Sequence, residues 1–223
     1  MKKATIDSGR ISALSDGVFA IAMTLLVLDL QLPDVGSLSD SLPFTAGLAD
    51  QLPRFMSWLL SFAILCRLWT VHHDLLAEGD TRTRGFAAWN FVFLGAVSFI
   101  PYPASLLAEH PEQLLSVVVF SAAFVVAGIA LGRMRRIFDH SSAAEGSAPP
   151  RPRISRAMLL ILATATISCL LAIVDARLGA ALWFSYPITG GMVRRHDRRT
   201  WTERAPRAAK RHLEEKTDTA QDA

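Results

Sequence analysis

Residues Arg10 to Leu32 read RISALSDGVFAIAMTLLVLDLQL, and this stretch decides the fold of the chain. It is apolar over a length that can cross a bilayer, for which about 20 residues are needed. Its first third nevertheless carries Arg10, Ser15 and Asp16, which cost free energy in lipid and must therefore face protein or water. The stretch predicts a transmembrane helix with two distinct faces.

One face of this helix is predicted to be an unbroken aliphatic stripe. At about 100° per residue, Thr24 lies on the flank of the stripe and Asp16 projects towards the opposite side of the helix. The stripe consists of Ile21, Leu25, Leu28 and Leu32. Taken alone, the residues favour ordinary helix packing as the use of such a stripe.

The composition predicts an all-α, polytopic membrane protein. Of its 223 residues, 51% are hydrophobic and 19% are charged, whereas soluble domains carry about 25% charged residues. The apolar residues form six blocks, predicted to be six transmembrane helices at about 10–32, 54–77, 84–108, 113–133, 156–175 and 178–193. Residues 1–193 are thus one membrane domain, and 194–223 form a basic, partly disordered tail. Cys66 and Cys169 lie inside apolar blocks and are interpreted as core residues.

The distribution of basic residues predicts the topology. With six crossings, all but Arg54, Arg67 and Arg177 of the 23 Lys and Arg residues lie on the side that carries both termini. Positive charge marks cytoplasmic segments, so both termini are predicted to be cytoplasmic. Anionic lipid beside the spans accounts for the net charge of +3 without a nucleic-acid partner.

The second block ends in a polar cluster that allows three interpretations. Trp69, His72, His73 and Asp74 lie close to its cytoplasmic end. Adjacent histidines point about 100° apart on a helix and rarely bind one ion together, which disfavours a metal site. The residues are either interfacial polar groups beside a tryptophan of the aromatic belt, or part of a buried network in which a histidine pairs with Asp16 at the same depth.

The third block adds one polar residue and a helix break. Asn90 either joins that network or makes a lone helix-packing hydrogen bond. Pro101 and Pro103 are predicted to kink the helix or end it early.

Together these motifs resemble a known family. The pattern is Arg10-xxx-Leu14-Ser15-Asp16-Gly17, then FAIAMTLLVLDL, then Trp69-xx-His72-His73, then Asn90 ahead of Ser98-Phe99-Ile100-Pro101. It is similar to the bacterial relatives of the lysosomal potassium channel called transmembrane protein 175. The family signature reads Arg-xxx-Phe-Ser-Asp, and Leu14 replaces its phenylalanine here.

The resemblance implies a homotetrameric potassium channel in a bacterial cell membrane, with no cofactor, no metal and no enzymatic activity. It implies that the first helix lines the pore, that Ile21, Leu25 and Leu28 constrict it, and that Thr24 contributes to ion selectivity. The structural polar network that it implies consists of Arg10, Ser15, Asp16, His72 or His73, and Asn90.

Elementary physics is consistent with this assignment. One helix cannot enclose a pore, but four copies around a rotation axis present one aliphatic stripe each, and narrow aliphatic rings gate by dewetting. The chain contains no TVGYG filter, so only modest selectivity for K⁺ over Na⁺ is expected. The alternatives are an ion-coupled secondary transporter, for which Arg67 is the only deep charged candidate, and a non-conducting structural membrane protein.

Overall fold

The computed structural model describes residues 8–30, 51–77, 83–144 and 156–186, together with Thr189, and this part of the chain is helical, with short turns. The all-α class predicted from the sequence is confirmed. The helices are α1 Ser8–Leu25, α2 Leu52–Ala77, α3 Arg84–Phe99, α4 Pro101–Glu109, α5 Leu114–Ala144, α6 Arg156–Val174 and α7 Ala176–Leu182. A 3₁₀ turn, Leu26–Asp29, continues α1, and a second one, Trp183–Ser185, follows α7.

Four segments of the described chain are long and apolar enough to cross a membrane: Gly9–Leu28, Leu52–Ala77, Arg84–Glu109 and Leu114–His140. They correspond to the first four predicted crossings. The fifth block appears as a shorter apolar helix, Leu159–Val174, and the sixth begins with the short helix α7. The loop at 31–50 and the predicted basic tail at 194–223 lie outside the described residues.

The third apolar segment is broken where the sequence predicts it. α3 ends at Phe99 and α4 begins at Pro101, with Ile100 between them. Proline has no backbone N–H and its ring clashes with the preceding turn, so it is tolerated only at the start of a helix. The N–H of Ile100 instead donates to the Val97 carbonyl at 3.2 Å.

α5 extends to Ala144, well beyond the predicted end at residue 133. Arg135 and Asp139 form an ion pair at 3.0 Å across one helical turn, which favours continued helix. At about 1.5 Å per residue, such a helix is longer than the hydrocarbon core is thick. Its last turns therefore extend beyond the apolar segment.

The core lies between α3, α5 and the helices that flank them. α5 packs against α3 on one side and α6 on the other, while α1 packs against α3 and α2. Phe93, Val97, Phe120 and Phe124 are fully buried there. This core supports α1 from one side.

α6 and α7 form a tight helical hairpin. Asp175 caps α7 by accepting a hydrogen bond from the backbone N–H of Arg177 at 2.8 Å. A Cβ atom on Gly179 would lie 2.6 Å from the Ser168 carbonyl oxygen, so only glycine lets the two backbones approach this closely. Beyond α7, the buried Trp183 donates from its indole N–H to the Ser121 hydroxyl on α5 at 3.3 Å.

Candidate functional site

The first helix has one buried and one exposed apolar face. Phe19, Ala22 and Leu26 are each 1% exposed and belong to the core. The outer face carries the predicted stripe: Ile21 is 61% exposed, Leu25 42% and Leu28 70%. Within one protomer, the aliphatic stripe is therefore left uncovered, and Leu32 lies outside the described residues.

The 3₁₀ turn keeps this stripe straight at its far end. In a 3₁₀ helix, side chains three residues apart eclipse each other, so the turn Leu26–Asp29 brings Leu28 closer to alignment with Leu25 than a continued α-helix would. Thr24 is exposed beside them, and its hydroxyl donates to the Ile21 carbonyl at 2.9 Å. Because this hydroxyl is exposed and acts as the donor, its oxygen can still accept a hydrogen bond or contact a cation.

Small exposed residues lie on the same helix, towards its amino-terminal end. Ala13, Gly17 and Ala20 are exposed, and a Cβ atom on Gly17 would meet nothing within 4 Å. Small side chains allow close approach of helices in membranes. The sequence prediction did not use these residues, although their spacing of four and three marks one helix face.

A buried chain of hydrogen bonds ties α1, α2 and α3 together. Asn90 donates from Nδ2 to the Ser15 hydroxyl at 3.2 Å, and Ser15 donates to the Ile11 carbonyl at 2.8 Å. The Oδ1 atom of Asn90 lies 2.7 Å from Nε2 of His72. Since Asn90 donates to Ser15, its oxygen faces His72, and Nε2 of His72 carries the hydrogen.

The imidazole of His72 is enclosed by aromatic rings. It stacks on Phe93 with ring centroids 4.8 Å apart, and it lies 6.1 Å from the ring of Phe19. His72 is 1% exposed. The two rings and the Asn90 amide fix its orientation, so His72, and not His73, belongs to the buried chain.

Asp16 lies outside that chain. It is exposed in the protomer and accepts a hydrogen bond from the indole N–H of Trp69 at 2.9 Å, and Trp69 stacks on His73 at 5.1 Å. The expected pairing of a buried Asp16 with a histidine is therefore not what this structure contains. Ser15 and Asp16 point about 100° apart, so only Ser15 reaches the core, and Arg10 is exposed as well.

Several apolar spans, a polar chain buried between them and an uncovered aliphatic face define a multi-pass helical membrane protein. The model of the family described as the endosomal/lysosomal potassium channel TMEM175 matches residues 10–101. A potassium channel of Chamaesiphon minutus is 33% identical over 142 residues, which is 62% of this chain and 68% of the relative. The chain belongs to the TMEM175 family, as its motifs predict. Because this is a family of ion channels, the prediction that the chain is not an enzyme is confirmed.

Other relatives are matched over smaller parts of their length. A potassium channel of Streptomyces collinus is 33% identical over 107 residues, covering 48% of this chain and 50% of the relative. The human endosomal/lysosomal proton channel TMEM175 is 33% identical over 124 residues, covering 52% of this chain and 25% of the relative.

The fold is also similar to a solved structure. The crystal structure of a lysosomal potassium-selective channel TMEM175 homolog from Chamaesiphon minutus superposes with a TM-score of 0.70 at 26% identity. The match covers 83% of this chain and 96% of that one. The likeness therefore extends beyond the segment that the family model matches.

Proposed function

We propose that this chain is one subunit of a homotetrameric, potassium-permeable cation channel whose pore is lined by α1. The observation that carries the proposal is the uncovered aliphatic stripe of α1, which lies on a different side of the helix from the residues that pack into the core. If the stripe packed against other helices of the same protomer, those helices would cover its side chains. Bacterial relatives named potassium channels support potassium as the permeating ion.

Rotational symmetry explains how one stripe becomes a pore. The chain contains one copy of the motif, so a closed channel needs several chains, and four copies around an axis bring four stripes face to face. The small residues Ala13, Gly17 and Ala20 let neighbouring helices approach closely beside the stripe. The buried chain through Asn90 supports α1 from behind, on the side away from the axis.

The gate is proposed to consist of three stacked aliphatic rings formed by Ile21, Leu25 and Leu28. Such rings exclude water when narrow and admit hydrated ions when slightly wider. The near alignment of Leu25 and Leu28 stacks two of these rings along the axis. Tilting or rotating α1 by a small angle then opens or closes the constriction.

Thr24 is the proposed selectivity residue. Its hydroxyl hydrogen is engaged by the Ile21 carbonyl, so its oxygen offers lone pairs to a passing cation, as a hard cation requires. A ring of four hydroxyl oxygens discriminates less than rings of backbone carbonyls, and modest preference for K⁺ over Na⁺ follows.

The residues of the stripe favour potassium over protons as the main permeating ion, because none of them can carry a proton. Between Gly17 and Leu28 the chain reads GVFAIAMTLLVL, which contains no titratable side chain. A proton relay within a membrane uses chains of acidic residues and histidines, and His72 lies on the buried side of the protomer. The vertebrate relatives named proton channels make proton flux a necessary second measurement.

The proposed topology has six crossings, cytoplasmic termini and a location in the bacterial cell membrane. The guanidinium of Arg133, in the second half of α5, lies 5.5 Å from the Trp89 ring near the start of α3, so these basic segments share one end of the protomer. Arg54 and Glu109 form an ion pair of 3.8 Å at the other end. The hairpin of α6 and α7, held by Trp183 on α5, supports the last two crossings.

Flux through the purified full chain in liposomes tests the proposal. We expect potassium efflux that rises linearly with concentration and tracks the membrane potential, with sodium flux somewhat smaller and proton flux minor. Saturable flux that needs a proton gradient supports the transporter instead. A stable oligomer that conducts no ion supports a structural protein.

A further inference from the structure

The end of the protomer where α3 begins and α5 leaves the apolar segment carries basic residues that the pore does not use. Arg84, Arg133 and Arg136 are exposed there. Arg135, between them, is already engaged by Asp139 at 3.0 Å. Among the described residues, the three exposed guanidiniums make no hydrogen bond or ion pair, so positive charge is in excess in this part of the described surface.

The helix contacts bring these arginines to one seam between α3 and α5. A Cβ atom on Gly85 would lie 3.5 Å from Cδ1 of Ile137, and the guanidinium of Arg133 stands 5.5 Å from the centre of the Trp89 ring. These two contacts fix the register of the antiparallel pair. Arg84 adjoins Gly85, and Arg136 lies one turn beyond Arg133 on the same exposed face of α5.

The surface changes character abruptly along this seam. Below Trp89 and Arg133, towards the middle of the helices, the exposed side chains on the same side of α3 and α5 are large and apolar: Val92, Val126 and Ile129. Tryptophan marks the boundary between hydrocarbon and headgroups, and the stacked guanidinium sits at that boundary. The seam therefore offers an apolar track for acyl chains beneath a basic site at headgroup depth.

We propose that this α3–α5 seam binds one anionic phospholipid, with its phosphodiester held by Arg133 and Arg136 and its acyl chains along Val92 and Ile129. Arginine suits phosphate because its planar fork presents two parallel N–H donors. Stacking on Trp89 limits the freedom of Arg133 before the lipid arrives, so less conformational entropy is lost on binding. A zwitterionic lipid carries the same phosphate but adds a cation that the arginines repel.

The proposal is independent of ion conduction because its test is a binding measurement. The purified full chain in a mild detergent is titrated with phosphatidylglycerol or with phosphatidylcholine of the same acyl chains, and bound lipid is counted by native mass spectrometry. An arginine near an anionic surface contributes about a fivefold factor in affinity. We therefore expect Arg133→Gln/Arg136→Gln to weaken phosphatidylglycerol binding about thirtyfold.

Three further samples make the result specific. Arg177→Gln removes the same charge from an exposed position at the other end of the molecule and should leave binding unchanged. Arg136 makes no hydrogen bond or ion pair with another described residue, so Arg136→Gln alone should fold as the wild type does and bind about fivefold more weakly. Soluble glycerol phosphate, which has no acyl chains, should not displace the bound lipid.

Each outcome of the lipid titration either supports or overturns the proposed site. Binding of phosphatidylglycerol that weakens about fivefold in Arg136→Gln and about thirtyfold in Arg133→Gln/Arg136→Gln, and is unchanged in Arg177→Gln, supports the site. Equal binding of the two lipids by the wild type, or an unchanged affinity in the seam variants, overturns it. Displacement by glycerol phosphate also overturns it, because the site then holds a soluble anion rather than a lipid.

Discussion

Asn90→Leu isolates the contribution of the buried hydrogen-bond chain, because leucine fills a similar volume but can neither donate nor accept. In the structure Asn90 accepts from His72 at 2.7 Å and donates to Ser15 at 3.2 Å. Ser15 keeps its own hydrogen bond to the Ile11 carbonyl, so losing the bond from Asn90 destabilises Ser15 only slightly. His72, at 1% exposure, is left with an unpaired buried N–H, which costs about 1–3 kcal/mol.

A destabilisation of about 2 kcal/mol lowers the melting temperature of a chain of this size by roughly 4–8 °C. Intrinsic tryptophan fluorescence on heating in detergent measures it. Ser98→Ala is the matched control, since Ser98 is exposed and donates only to Gly95 in its own helix. It should shift stability by less than about 0.5 kcal/mol. If the melting temperature of Asn90→Leu is within a degree of that of the control, the buried hydrogen bonds through Asn90 do not hold α1 against α2 and α3.

Three further substitutions test other parts of the structure. Asp16→Asn keeps an acceptor for Trp69, so the stability of the protomer should change by less than about 0.5 kcal/mol. A lower tetramer yield in native mass spectrometry would then place the carboxylate between copies of the chain. A variant that is less stable but still tetrameric would refute that placement. Gly179→Ala forces a Cβ to within 2.6 Å of the Ser168 carbonyl oxygen. This overpacking should destabilise the protein by about 1–3 kcal/mol, which is measured as a lower melting temperature. An unchanged melting temperature would show that α6 and α7 pack less closely than described. Thr24→Val preserves shape and deletes the hydroxyl, so the ratio of K⁺ to Na⁺ flux in liposomes should fall more than total flux does, and an unchanged ratio would exclude Thr24 from selectivity.

Helix periodicity and proline chemistry were sufficient to predict much of this fold. The break at Pro101 follows from the missing N–H of proline, and the alignment of Ile21, Leu25 and Leu28 along one side of α1 follows from a spacing of three and four residues. Both are local properties of the chain. They need no knowledge of what the helix packs against.

The partners of the polar residues required the tertiary structure. Ser15 and Asp16 are at nearly the same depth, and the sequence predicts that depth and the angle between the two side chains, but not which of them faces the core. Whether a side chain reaches the core depends on how the helix is rotated about its axis. The packing of Phe19 into the core sets that rotation. One of the interpretations that the sequence allowed pairs Asp16 with a histidine, whereas the structure pairs it with Trp69.

The close hairpin of α6 and α7 was not predicted either. Gly179 has no local signature that separates a backbone contact from a flexible position. Its role appears only once the Ser168 hydroxyl is found donating to its carbonyl at 2.7 Å.

Potassium flux through Leu25→Ala and Val27→Ala, compared with the wild type in liposomes at matched protein density, tests most directly whether the stripe lines the pore. Both positions are exposed aliphatic residues of α1 and its 3₁₀ turn, but Val27 lies off the stripe. If Leu25 forms the central ring of the gate, shortening it widens the constriction, and a barrier lowered by about 1.4 kcal/mol raises flux about tenfold. Val27→Ala should conduct as the wild type does. Equal increases from both variants, or none from Leu25→Ala, would contradict a gate built from this stripe.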